Sequence, residues 1–338
     1  MNLNAAWFVV LAFTLAVYAV LDGFDLGLGT IHLVLGRTRD ERARLIDSIG
    51  PVWNGNEVWL IAAGGSMVVA FPTLYATSFS GFYLALMLVL WLLLLRGLGI
   101  EFRHQVHHAM WEDAWDVVFA GSSLLLSLLF GVALANVLRG VPFDAHGEFR
   151  GTFALLLNPF ALLGGLLAVA TLALHGACWA ALKMEGDLQL RARRFARALW
   201  FPSTALVVAM IGASFIVRPD FTRNFTGHPL LVLVPLITMA SLAINAFAVR
   251  RGDDRRAFAA SSAYIAGVLA SVAAGLYPVL LPGSPGSAGR GLDIYNAAAP
   301  ENSLRIALGI YLVGLAIVSG YLLYVYRVWR GKSGSVYQ

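Results

Sequence analysis

About nine stretches of this chain are apolar over the ~20 residues that a helix needs to cross a bilayer. They fall near Ala5 to Leu35, Ile49 to Phe71, Leu74 to Leu95, Trp115 to Leu138, Phe153 to Leu182, Leu199 to Val217, Pro229 to Val249, Ala257 to Leu281 and Leu304 to Val328. Hydrocarbon offers no partner for backbone N–H and C=O groups, so such runs fold as helices that satisfy their own hydrogen bonds. The expected fold is therefore an all-α polytopic membrane protein. The second run is the least regular, because its first turn carries Glu57 and two amides and also suits a segment lying along the interface.

The basic residues set the orientation. With the N-terminus outside, the inner segments hold Arg37, Arg39, Arg42 and Arg44; then Arg96 and Arg103; then Lys183, Arg191, Arg193, Arg194 and Arg197; then Arg250, Arg251, Arg255 and Arg256; then Arg327, Arg330 and Lys332. That alternation puts the C-terminus in the cytoplasm. Only 13% of residues are charged, against roughly 25% in soluble domains. The net charge of +5 belongs to loops, and no soluble segment is long enough to make it a nucleic-acid surface. MNLNAAWF lacks a basic n-region and its apolar run is too long for a signal peptide, so the first span is expected to be retained. The single cysteine, Cys178, forms no intramolecular disulfide and reads as a small core residue.

The chain reads as one integral membrane domain over residues 1–338. Four helices before the outer loop Arg139 to Thr152 suggest a four-helix bundle over 1–138. Four after it suggest a second over 153–281, with 304–328 as a peripheral helix. The outer loop Pro282 to Ser303 is rich in Gly, Pro and Ser without an apolar run, and the tail GKSGSVYQ is expected to be disordered. Trp7, Trp111, Trp200 and Trp329, near span ends, read as an interfacial belt.

Two stretches break the apolar pattern with acids. LDGFDLGLG places Asp22 and Asp25 three residues apart on one helix face. Gly23 and Gly27 let a neighbouring helix approach that face closely. GPVWNGNEVW sets Glu57, Asn54 and Asn56 between Trp53 and Trp59. Asp25 lies about 15 Å from the inner end of its span and Glu57 about 12 Å from the inner end of the next, at 1.5 Å per residue. Carboxyl groups in a low dielectric can hold and exchange protons, so Asp22, Asp25 and Glu57 are candidates for a proton path, with Trp53, Asn54, Asn56 and Trp59 supporting it. The alternative is that they bond to amides and fix helix packing.

Histidine is scarce within the spans. His104, His107, His108, His146 and His228 fall in loops or at span edges. Only His32 and His175 lie in apolar runs, and neither has a histidine or methionine partner at matching depth, so a haem held by this chain alone is not expected. The triplet His104, His107 and His108 has a helical metal-ligand spacing but reads better as a basic loop. No phosphate-binding glycine loop and no nucleophile elbow is present, which excludes a nucleotide-driven pump and a serine hydrolase.

Six stretches taken together resemble subunit II of the cytochrome bd family of quinol oxidases, including its cyanide-insensitive branch. They are LDGFDLGLG (21–29), DSIGPVWNGNEVWLIAAGG (47–65), FPTLYATSFSGFYLAL (71–86), LRGLGIEFR (95–103), LLNPFALLGG (156–165), and Tyr277-Pro278 with the later IYNAAA up to Ala299. The resemblance implies a heterodimer with a subunit I that carries the b and d haems, often with a small single-helix accessory subunit. Such a complex oxidises quinol, reduces dioxygen to water and draws the protons from the cytoplasm. It also implies a bound quinone or lipid in this subunit, with no residue assigned. Some members have aspartate at the position of Asn54 and glutamine at that of Glu57. Two other readings stand beside it: a proton-coupled secondary transporter built on the same acids, and a purely structural subunit.

Overall fold

A computed structural model describes residues 2–144, 148–289 and 291–332. His146 and the last residues of the tail lie outside the described residues. The chain runs α1 (Leu3–Leu35), α2 (Arg39–Asp47), α3 (Trp53–Ala70), α4 (Pro72–Gly81), α5 (Tyr83–Phe102), α6 (Ala109–Arg139), α7 (Phe153–Leu156), α8 (Pro159–Lys183) and α9 (Gly186–Val217). It continues through α10 (Arg223–Gly227), α11 (Leu233–Arg251), α12 (Asp254–Leu276), β1 (Val279–Pro282), β2 (Gly291–Asp293) and α13 (Glu301–Val328). Among the described residues, eight helices are long and apolar enough to cross a membrane. The ninth expected run is α3, 18 residues long. Asn54, Asn56 and Glu57 in its first turns make it too polar to count by composition.

The expected run Leu74 to Leu95 is not one helix. Pro72 opens α4, which stops at Gly81, and α5 starts at Tyr83 and continues to Phe102. Proline without its N–H suits the first turn of α4, and the break inside the apolar run falls at Phe82, whose backbone leaves the helical region. The same shift carries Arg96 out of the inner loop, where the sequence placed it, into α5, where it is fully buried. Arg103, which caps α5, is also buried.

The centre of the molecule is α1, which packs against α3, α6, α8 and α12. Its approach to α8 is backbone on backbone: a Cβ on Gly27 would overlap the Leu172 carbonyl oxygen, and one on Gly176 would overlap the Gly27 carbonyl carbon. Small residues permit this contact, which is how helices associate in lipid. Gly27→Val is expected to force α1 and α8 apart. The cost should exceed the ~1–3 kcal/mol of ordinary overpacking, read as a lower melting temperature of the purified complex.

At the arginine-rich end, Thr38 and Glu41 form a reciprocal capping box on α2. Glu41 also pairs with Arg191 at the start of α9. Burial raises its pKa, but the Arg191 guanidinium and the Arg37 and Thr38 amides outweigh that and hold the carboxyl below its usual range. At the opposite end, described residues of the Gly-, Pro- and Ser-rich loop pack onto the helices. β1 and β2 pair antiparallel, Leu281, Leu292, Ile294 and Ala297 are buried, and the Ala299 amide donates to Ala70 O at 3.0 Å. Trp7 is not part of an interfacial belt: it is buried, stacks edge-on with Tyr311 and donates its Nε1–H to Leu304 O at 3.0 Å.

Candidate functional site

Four helices bring the intramembrane acids to one place. Asp22 and Asp25 come from α1, Asn56 and Glu57 from the start of α3, Arg96 from α5 and Tyr326 from the last turns of α13. Arg96 is the hub: its Nη1 donates to Asp22 Oδ1 at 2.6 Å and its Nη2 to Glu57 Oε1. Beside it, Asn56 Nδ2 donates to Asp25 Oδ2 at 2.8 Å and to Leu21 O at 3.1 Å, and the Tyr326 hydroxyl donates to Asn56 Oδ1 at 2.9 Å. Asp22, Asp25, Asn56 and Arg96 have no exposed surface, whereas the Glu57 side chain keeps 23%. Two carboxyl groups thus share one guanidinium, and a third, Asp25, stands beside them. A buried charge without a partner is costly, so the group is neutral overall only when it also holds protons.

Several polar atoms here are buried without a hydrogen-bond partner: Asp22 Oδ2, Asp25 Oδ1 and Arg96 Nε. Buried polar groups are nearly always satisfied, by protein or by ordered water. Trp53 closes one side, its ring 3.3 Å from where a Cβ on Gly97 would stand. Trp59 is buried against Tyr18 and Leu322. Asn54 is exposed and takes no part.

A second polar cluster lies toward the arginine-rich end. His32 Nε2 meets Asp116 Oδ1 at 2.8 Å, and Arg103 Nε donates to the same oxygen at 2.7 Å. Arg42 Nη1 stands 3.5 Å from Asp116 Oδ2 and 3.5 Å from Asp113 Oδ1, and Arg39 pairs with Asp113 at 2.6 Å. Asp113 and Arg39 are exposed, while His32 and Asp116 are fully buried. The cluster therefore runs from solvent into the protein. His32 Nδ1 has no partner.

Between the clusters lies α1 itself. Asp25, Gly29 and His32 lie on one face, Asp25 and His32 about 10 Å apart by helical rise. The gap is filled from α6 by Ser123, whose hydroxyl takes the space that a Cβ on Gly29 would need. Ser123 is fully buried and its Oγ also lacks a partner. Unsatisfied atoms thus follow one another along α1, from His32 through Ser123 to Asp25 and Asp22.

The sequence singles out the acids and the amides but not Arg96, Tyr326, Asp116 or Ser123, and it leaves His32 without a partner. A sign for Arg96 exists, since Gly97 to Ile100 prolong the apolar run beyond it. For Tyr326, 270 residues from Asn56, there is none. The other membrane histidine, His175, engages both ring nitrogens, with Ser261 Oγ at 2.7 Å and Val20 O at 3.0 Å, and stacks on Phe258, so it is closed to a metal. Among the described residues no group of three or more His, Cys, Asp or Glu is arranged to hold a metal ion. His104, from the loop triplet, lies 3.4 Å from Asp47.

Known proteins share both this sequence and this fold. The family model described as cytochrome bd terminal oxidase subunit II matches residues 3–329. A probable cytochrome oxidase subunit 2 of Haemophilus influenzae is 32% identical, with 98% of this chain and 95% of that protein covered. The cytochrome bd-I ubiquinol oxidase subunit 2 of Escherichia coli K12 is 30% identical over 98% and 95%, and the cytochrome bd ubiquinol oxidase subunit 2 of Bacillus subtilis 32% over 98% and 97%. Among solved structures, a chain of the bd oxidase from Geobacillus thermodenitrificans shares the fold with a TM-score of 0.81 at 18% identity, covering 97% of this chain and 99% of that one.

Proposed function

The chain belongs to the cytochrome bd terminal oxidase subunit II family and so is a subunit of a quinol oxidase in a bacterial membrane. From that premise we propose that it scaffolds a haem-bearing subunit I and lines a route carrying protons from the cytoplasm toward that subunit's dioxygen-reducing site. Haems b and d belong to subunit I in this reading, with quinol and dioxygen as substrates of the complex. The N-terminus is outside and the C-terminus cytoplasmic. In this reading the chain is two four-helix bundles, 1–138 and 153–281, with 304–328 as a peripheral helix, and a small accessory subunit completes the complex.

The observation that carries the proposal is the buried file of unpartnered polar atoms joining the two clusters. Its mouth is Arg39, Asp113 and Arg42. Asp116 and His32 take the proton inward, Ser123 with ordered water bridges to Asp25, and Asp22 and Glu57 share it under Arg96. Arg96 keeps the cluster near neutrality and prevents it from retaining every proton. Glu57, the only acid of the three with open surface, stands on α3 next to exposed Val58 and Ile61. A carboxylate facing acyl chains would be costly, which favours this face as the seat of subunit I and Glu57 as the exit.

The inlet is tested by oxygen consumption of the purified complex. His32→Gln with Ser123→Ala is expected to slow turnover about tenfold, with haem content and complex yield unchanged. Unaltered turnover in that double variant would remove His32 and Ser123 from the route. A secondary transporter has no observation of its own in its favour.

A further inference from the structure

Arginines crowd the adjoining ends of α9, α11 and α12, and Arg191, Arg193, Arg251 and Arg256 are matched. Arg191 pairs with Glu41, and Arg193 holds Asp254 through two nitrogens at 2.8 and 2.7 Å. Arg256 reaches Asp253 at 3.2 Å, and Arg251 lies 3.9 Å over the Phe247 ring. Arg194, Arg197, Arg250 and Arg255 have no ion-pair partner among the described residues, and two of them, Arg197 and Arg250, come together. Both line a cavity of about 170 Å³ between α9 and α11, and among the described residues no carboxylate forms an ion pair with either. The one hydrogen bond Arg197 makes is long, from Nη2 to Val249 O at 3.5 Å. Both arginines are exposed, and two like charges beside one cavity offer a site to an anion.

We propose that this cavity binds the phosphate of an anionic phospholipid, held between the Arg197 and Arg250 guanidiniums with its acyl chains laid along α9 and α11. Guanidinium is suited to this because its planar fork meets phosphate oxygens in pairs. The depth fits. Arg250 is in the last turn of α11, and Arg197 stands where the α9 sequence turns from RARRFAR to apolar ALWF, the level of lipid head groups, where basic side chains between helices recruit anionic lipid. The walls fit as well. Trp200 donates its Nε1–H to Leu242 O at 2.9 Å, clamping α9 to α11. Phe201, 62% exposed, and Phe247, 56% exposed, continue an apolar surface away from the cavity. The proposal stands on this cavity and not on the proton route.

The test uses the purified two-subunit complex, stripped of lipid in detergent and titrated with 1-palmitoyl-2-oleoyl-phosphatidylglycerol under native mass spectrometry. Phosphatidylcholine of the same chains and inorganic phosphate are run in parallel. The Arg197→Gln/Arg250→Gln variant is expected to bind phosphatidylglycerol about 100-fold more weakly than the unaltered complex. Arg194→Gln/Arg255→Gln, which removes equal charge outside the cavity, is expected to bind normally. Phosphatidylcholine and phosphate are expected to bind weakly. Equal losses in the two variants would mean diffuse attraction and overturn the site. Equal binding of phosphatidylcholine would mean an apolar groove only. Displacement of phosphatidylglycerol by millimolar phosphate would mean a site for a free anion. Failure of the Arg197/Arg250 variant alone to retain subunit I would assign the cavity to a protein contact. Each of these three would also overturn the proposal.

Discussion

Arg96→Gln should give little or no assembled complex. The side chain is fully buried and, among the described residues, is the cation that pairs with Asp22 and Glu57 beside Asp25. Removing one member of a buried charge network costs about 3–5 kcal/mol, because the remaining charges keep their desolvation penalty without the attraction that offset it. That is a large fraction of the stability of an ordinary domain. Arg96→Lys should recover only part, since one ammonium does not span two carboxylates as the guanidinium fork does. Combining Arg96→Gln with Asp22→Asn should recover more than the two effects added would allow, as expected of partners in one network. The yield of haem-containing complex and its melting temperature read all three variants. A well-assembled Arg96→Gln complex would mean that the acids do not depend on this arginine.

Asp25→Asn combined with Glu57→Gln should leave the fold intact and slow oxygen consumption. The substituted amides keep the acceptors that matter: the carbonyl oxygen at position 25 can still receive the Asn56 hydrogen bond, and the one at position 57 can still receive the bond from Arg96. What they lose is the ability to take up and release a proton. Removing a positioned proton-transfer group costs about 10²–10⁴-fold, and a fall of about 10²-fold is expected here with the haem spectrum unchanged. Each single variant should lose less if Asp22 can substitute in part. Unchanged turnover in the double variant would leave a scaffold and no route.

What can be read from the residues divides by distance along the chain. Asp22 and Asp25 are visible as one face because three residues on a helix fix their relation, and Gly27 announces the close contact that the Leu172 carbonyl provides. Arg96 is hidden by its position. A charge near the end of an apolar run looks like the loop that follows, and only the continuation of α5 to Phe102 shows it to be inside. The break between α4 and α5 is hidden likewise, since apolar residues continue across it. Asn56 belongs to the site and Asn54 does not: two residues apart on a helix, they face different ways. Tyr326 and Ser123 carry no local mark, because their role comes from which helices lie beside α1 and α3. His32 looks isolated in the sequence for the same reason, its partner Asp116 being 84 residues away.

The central claim is that protons consumed at the partner's dioxygen site pass through this chain. It is tested most directly by reducing the complex in sealed liposomes, mixing it with dioxygen, and following proton uptake from the side of the Arg39–Asp113 mouth with a pH-sensitive dye while haem oxidation is recorded optically. In the Asp25→Asn/Glu57→Gln complex the account predicts electron transfer to dioxygen that begins normally, with proton uptake delayed about 100-fold behind it. Proton uptake at the unaltered rate, in step with haem oxidation, would contradict it.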